Sequence, residues 1–386
     1  MIKPNVYQHW DKLKSCMLGK SYPPEFYSWI KNPNARNAME RVAIETEEDY
    51  QSIEKKLNEL GVNVIRPEVS GDHTQYYDER YKKFDNAPMT PRDHIGTFGN
   101  EVYVRESHSY FKTFYNNIKD PSWPDISNPW EINKLNKQIV NEMYNDFNLE
   151  HEIKEHISYK LLNNAQREYS RLLTEHNAEH TLYKGEIVCD NASVTRVGKD
   201  LYYPRDVHHN IDDINNFFGD DYRINFYEGD GHSDGRFCPV VPGLIISLNG
   251  QLEYEKTFPG WEVIELPDQS WSKLSPFVEL KKKNAGKWWV PGQENNIELT
   301  TCVEDWLDNW VGYVEETVFD VNMLVVDEKN VICSNENDKV FEAFERYGVT
   351  PHVVNFRHRY FWDGGIHCVT ADLEREGSMQ DYFPNR

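Results

Sequence analysis

The sequence predicts an α/β fold of about five β-hairpin-plus-helix modules set around an axis. Three observations predict it. A hairpin pattern recurs along the chain, helix-Gly-strand units lie between the hairpins, and strand-like segments at the two ends of the chain complement each other.

Taken in chain order, "DKLKSCMLG" (11–19) is the first strand-like segment. "NAMERVAIETEEDYQSIEKKLNELG" (37–61) has a helical pattern ending on glycine, and "VNVIRPE" (62–68) follows as a strand. "HIGTFGNEVYV" (94–104), "VTRVGKDLYYP" (194–204), "LIISLNGQLEY" (244–254) and "NMLVVDEKNVIC" (322–333) share one pattern of apolar strand, tight polar turn and second strand. "NDKVFEAFERYGVTPHVVNF" (337–356) repeats the helix-Gly-strand unit. "IHCVTADLE" (366–374) could pair with the first segment as a fifth unit and close a ring. No G-x-G-x-x-G or G-K-[ST] loop suggests a Rossmann sheet instead. Residues 105–185 and 268–310 read as insertions, either lids or oligomer contacts, within one domain spanning 1–386.

Composition narrows the class. The 386 residues are 39% hydrophobic and 13% aromatic, which is a globular composition. With 42 basic against 64 acidic residues the net charge is −22, unsuited to a nucleic-acid or anionic-membrane surface. No apolar run reaches the length of a membrane span, and the start of the chain lacks a secretory apolar region, so a soluble cytoplasmic protein is expected. Cys16, Cys189, Cys238, Cys302, Cys333 and Cys368 are scattered, with no C-x-x-C pair, and indicate neither a zinc site nor a disulfide framework.

Chemistry-bearing residues stand beside the hairpins. Asp93 precedes the first, Asp190 the second, His232 and Asp234 the third, and Cys368 lies at the last. In a ring of modules equivalent ends converge on the axis, so these groups could share a pocket. A cysteine with an ordinary pKa near ~8.5 is mostly thiol at neutral pH and gains from a neighbouring base or charge. A histidine steadied by a carboxylate can protonate a leaving amine and later deprotonate an incoming one. Further carboxylates suit a planar cation such as a guanidinium. Each residue also has a plainer reading: the aspartates as turn or cap residues, His232 as a loop histidine, Cys368 as core. His176 with His180 and His208 with His209 lack a third ligand of suitable spacing, so no metal is expected.

"FWDGGIHCVTADLEREGSMQDY" resembles the Gly-Gly-X-His-Cys C-terminal signature of the arginine:glycine and arginine:inosamine-phosphate amidinotransferases. "PRDHIGTFGNEVYV", "CDNASVTRVGKDLYY" and "GHSDGRFCPVVPGLIIS" resemble that family's internal segments, and the similarity runs from about residue 5 to 383. The resemblance implies a five-bladed α/β propeller of the guanidino-group modifying superfamily. It implies Cys368 as nucleophile, His232 as general acid/base, Asp190 as its orienting carboxylate, and Asp93 and Asp234 as guanidinium holders. The implied reaction moves an amidino group from arginine or an analogue to an amine such as glycine, which would leave ornithine and guanidinoacetate. It proceeds through an amidino-cysteine and needs no cofactor. Hydrolysis to a ureido product, as in arginine deiminases, is the alternative; a non-catalytic guanidino-compound binding protein is a further one. The implied partners are a guanidino donor and an amine acceptor, with no nucleic acid, no membrane, and a homodimer left open.

The chain departs from the family pattern where the donor's amino-acid end is read. Gln251 stands where arginine-binding members have arginine, Glu315 and Glu316 stand where they have a Ser-Ser pair, and Asp363 replaces the first of three glycines. Either another cation, with Arg236 nearest in sequence, holds a donor carboxylate, or the donor carries a cationic end that suits Glu316 and its neighbour.

Overall fold

The computed structural model describes residues 1–78, 83–105, 164–183, 191–205, 211–227, 232–248, 253–266, 290–303, 319–362 and 364–386. Among them five three-stranded sheets share one topology, an antiparallel hairpin with a third strand parallel to its second. β1 (Lys12–Leu18) lies between the parallel β2 (Asn63–Ile65) and the antiparallel β17 (Thr370–Glu376). β3 (Tyr77–Asp78) and β4 (Lys83–Phe84) form a separate small pair. β5 (Ile95–Phe98), β6 (Glu101–Arg105) and β7 (Thr181–Tyr183) form the second sheet. β8 (Thr195–Val197), β9 (Asp200–Pro204) and β10 (Arg223–Tyr227) form the third. β11 (Phe237–Val241), β12 (Leu244–Leu248) and β13 (Glu262–Leu266) form the fourth. β14 (Leu324–Asp327), β15 (Asn330–Cys333) and β16 (Thr350–Val353) form the fifth.

A parallel step needs a crossover connection, and a helix lies in each one. Pro33–Glu59, Asn164–Glu175, Ile211–Phe218, Tyr254–Thr257 and Asp338–Tyr347 lie between the second and third strands of their units. Their ends follow local chemistry. Asn32 accepts hydrogen bonds from the Asn34 and Ala35 amides, with Pro33 at the first helical position. Asn337 caps Asp338–Tyr347, and Gly348 ends it in the left-handed region at φ 71°. The ends of the chain do pair, β1 with β17, so one unit is assembled from both termini.

Three expectations change. The Asn249-Gly250 pair, read as the turn of the third hairpin, lies outside the described residues, and Tyr254–Thr257 is helical. The hairpin lies one strand earlier: β12 pairs back onto β11 across Pro242-Gly243, with Gly243 at φ 96°. A strand buried at every position, such as LIISL, has no apolar-polar alternation to show which neighbour it pairs with. Residues 164–183, read as part of an insertion, supply the crossover helix and third strand of the second sheet. Within 290–303, helix Ile297–Cys302 packs on Pro33–Glu59, and Leu299 joins the same buried cluster as Val42 and Ile53.

The end segments tie down the hairpin turns. Val6 and Gly99 exchange backbone hydrogen bonds of 2.8 Å, the Gly198 amide donates to Tyr7 O (3.1 Å), and the Lys199 amide donates to Gln380 O (2.8 Å). The site forms at the other ends of the hairpins. Among the described residues no helix is long and apolar enough to cross a membrane.

Candidate active site

Each hairpin is entered by a short turn that carries a polar residue. Asp93 ends the 3-10 turn Pro91–Asp93 before β5, and Asp234 lies in Ser233–Gly235 before β11. Asn322 stands two residues before β14, and Cys368 two residues before β17. Before β8, Ala192 O accepts from the Ser233 amide (2.8 Å), so that turn lies against the one holding Asp234. Hydrogen bonds join the turns before β8, β11, β14 and β17 to one another.

Cys368 is buried at their meeting point. Asn322 Nδ2 donates to its Sγ (3.1 Å), and the thiol lies 3.5 Å from Asp234 Oδ2. The same carboxylate oxygen accepts from His367 Nδ1 at 2.8 Å. Asn322 is bound on both sides of its amide: Oδ1 accepts from the His367 amide (2.9 Å) and the Cys368 amide (3.4 Å), while Nδ2 also donates to Asp234 O (3.2 Å). Gly365 permits this approach. A Cβ there would fall 2.4 Å from Asn322 Oδ1.

His232 occupies the outer side. Its Nδ1 lies 3.9 Å from Asp93 Oδ1, with side chains 45% and 25% exposed, against 8% and 6% for His367 and Asp234. Arg236 follows the Asp234 turn and is partly exposed. Asp190, Gln251 and Glu316, with Glu315 and Asp363, lie outside the described residues. Sequence reasoning missed Asn322 and His367. The signal for Asn322 was its place two residues before a hairpin, the place Asp93 and Cys368 also hold.

Beneath the pocket Asp372 draws together three arginines. Arg92 Nη1 donates to its Oδ1 (2.8 Å), Arg196 Nη2 to both oxygens (2.9 and 2.8 Å), and Arg375 Nε to Oδ2 (2.8 Å). All four side chains are buried. Arg92 Nε also donates to the carbonyls of His367 (3.1 Å) and Thr370 (2.8 Å), which flank Cys368. The Pro-Arg-Asp turn thus sends Asp93 to the pocket and Arg92 to the backbone of the nucleophile candidate.

Electrostatics follow from burial and these neighbours. Burial pushes the Cys368 thiol well up, the Asp234 and Asp93 charges push it further, and the Gly365 amide and Asn322 act against them. Burial would raise the Asp234 carboxyl, but the hydrogen bond and charge of His367, with His232 and Arg92, leave it below its usual value. His367 is pushed down to about 4, chiefly by burial and then by Arg92, against the pull of Asp234. Asp372 is held well below the carboxylate range: its burial is outweighed by Arg196, Arg92 and Arg375. The resting pocket holds a neutral thiol beside ionised carboxylates, a field that favours a cation.

Comparison with known proteins agrees. No family model matches the chain. It is 23% identical over 413 residues to the mitochondrial glycine amidinotransferase of Xenopus tropicalis, covering 98% of this chain and 84% of that protein. It is 24% identical over 202 residues to the L-arginine:L-lysine amidinotransferase of Pseudomonas savastanoi pv. phaseolicola, half of this chain and 46% of that one. Over most of its length the chain is similar to amidinotransferases. Its fold is that of solved amidinotransferases. SxtG from Microseira wollei superposes with a TM-score of 0.60 at 16% identity, covering 98% of this chain and 99% of that one. The inosamine-phosphate amidinotransferase StrB1 from Streptomyces griseus gives 0.59 at 17% identity, covering 99% of each. The Cys368 pocket is the candidate active site.

Proposed function

We propose that the chain is an amidinotransferase that works by a covalent relay on Cys368, taking the amidino group from arginine or an analogue and passing it to an amine such as glycine. The five sheets are the blades of one pseudo-symmetric α/β propeller domain, with Asp93, His232, Asp234 and Cys368 at its axis. The observation that carries the reading is the Cys368 thiol beside Asp234, with Asp93 and His232 on the open side.

Asp93 and Asp234 come from different sheets and hold a guanidinium between them, with hydrogen bonds to a planar cation. Their charges keep the resting thiol protonated; the bound cation cancels them and lets the thiol proton pass to His232. The Cys368 sulfur attacks the guanidinium carbon and forms a C–S bond. His232, steadied by Asp190, gives a proton to the departing nitrogen as the C–N bond breaks. An acceptor amine then attacks the amidino carbon, His232 takes its proton, and the C–S bond breaks to release a new guanidino compound. Only protons and the amidino group move, and ping-pong kinetics follow.

Intact-mass analysis with a guanidino donor and no acceptor tests the relay. The mass of one amidino group is expected on the native chain and not on Cys368→Ala; a chain that binds donors but never gains that mass is a binding protein. Turnover should depend on added amine, and steady ureido product without amine would assign a hydrolase. The donor's far end is read by comparing kcat/KM for arginine and agmatine. A preference for arginine above ~100-fold, about 2.7 kcal/mol, calls for a cation on its carboxylate. If Arg236→Ala leaves such a preference intact, Arg236 is not that cation.

A further inference from the structure

We propose that His367 is a positioning residue, a neutral imidazole whose Nδ1–H fixes one oxygen of Asp234 so that the other alone is offered to a guanidinium. The proposal rests on the reading of this pocket as a guanidinium site.

A carboxylate can only accept, so the 2.8 Å contact between His367 Nδ1 and Asp234 Oδ2 requires the proton on Nδ1. The Cys368 thiol reaches the same Oδ2, and both hydrogen bonds to the carboxylate among the described residues end there. Among the described residues no donor reaches Oδ1, which leaves it to the ligand. With His367 and the resting thiol both on Oδ2, Asp234 meets an incoming guanidinium through Oδ1, and the cation is bridged between Asp234 and Asp93. A bridged guanidinium has its plane set by two sheets, with its carbon presented to the sulfur between them.

The surroundings hold His367 in place and neutral. Its amide donates to Asn322 Oδ1 (2.9 Å), and its carbonyl accepts from Arg92 Nε (3.1 Å). Its ring lies 5.7 Å from that of His9, centre to centre. The Arg196 amide donates to His9 Nε2 (3.4 Å), which makes that ring an acceptor there and so neutral as well. The charged groups facing His367 are Asp234 on one side and Arg92 and Asp372 below. The arginine and the burial oppose an imidazolium, and only the carboxylates favour one.

The test separates binding from turnover. In a Cys368→Ala background, calorimetry measures the affinity of a guanidino compound such as arginine or agmatine for chains carrying His367, H367N or H367L. Asparagine keeps an N–H donor near the Nδ1 position, and leucine removes it. Affinity is expected to fall at least 30-fold in H367L and to recover most of the way in H367N, with H367N also restoring kcat/KM in the Cys368 chain. Near-native thermal unfolding of H367N guards against a folding defect. Equal affinity in all three chains overturns the proposal and leaves the function standing. A Cys368→Ala chain that binds no guanidino compound overturns the function itself. A loss of affinity on acidification with a midpoint between pH 6 and 7 that disappears in H367N would show a titrating His367 and overturn the neutral-donor role.

Discussion

The Cys368 side of the pocket and the His232 side differ in how much of their geometry the protein itself supplies. On the inner side Cys368, Asp234, His367 and Asn322 are buried and joined at 2.8–3.5 Å. On the outer side His232 and Asp93 are partly exposed and stand 3.9 Å apart. Buried polar groups must be satisfied internally because no water is there to replace a lost partner, so the inner side is fixed before any ligand arrives. The outer pair keeps a spacing that a substrate can close. Changes to the inner side should therefore cost both folding and chemistry, and changes to the outer side chemistry alone.

The largest effect on stability is expected below the inner side. Asp372→Ala leaves three buried guanidiniums without their shared carboxylate, a loss of roughly 3–5 kcal/mol. Chemical denaturation, or failure to recover folded protein, measures it; a near-native midpoint would mean that the cluster does not hold the site together. Gly365→Ala comes next. Its Cβ would press on Asn322 Oδ1, a strain of roughly 1–3 kcal/mol, and should displace Asn322 from the thiol. Slower reaction of Cys368 with a small alkylating agent reads that displacement, and an unchanged rate would count against it.

Acid should expose the same asymmetry. His9, His358 and His367 all lie below the ordinary histidine value, with burial the largest cause in each. The unfolded chain takes a proton on each near pH 6.5 that the folded chain refuses. Stability is then fully present above that pH and falls as pH drops toward about 4 for His367, by ~1.4 kcal/mol per pH unit for each such proton. Unfolding midpoints from pH 7.5 to 4.5 measure the slope, and H367N should flatten it. The smallest stability change belongs to His232→Asn on the exposed side, within about 0.5 kcal/mol of native. Its turnover should nonetheless fall by roughly 10²–10⁴. A chain that lost stability and kept its rate would reverse the comparison.

The repeat was legible along the chain because hairpin turns, helix caps and terminating glycines act within a few residues of themselves. Asn32, Asn337 and Gly348 do in the structure what their neighbours imply, and the two ends of the chain pair as their strand patterns suggest. The residue types at Asp93, His232, Asp234 and Cys368 were legible for the same reason: each stands at the edge of a recognisable hairpin. Tertiary structure alone decided what those residues touch. Asn322 meets Cys368 across 46 positions, His367 meets Asp234 across 133, and Arg92 meets Asp372 across 280. It alone also returned helix Asn164–Glu175 to the second sheet and placed the β11–β12 turn at Gly243. No local periodicity encodes such pairings, because they depend on where five separately folded turns come to lie, and a buried hydrogen bond exists only after that meeting has taken place.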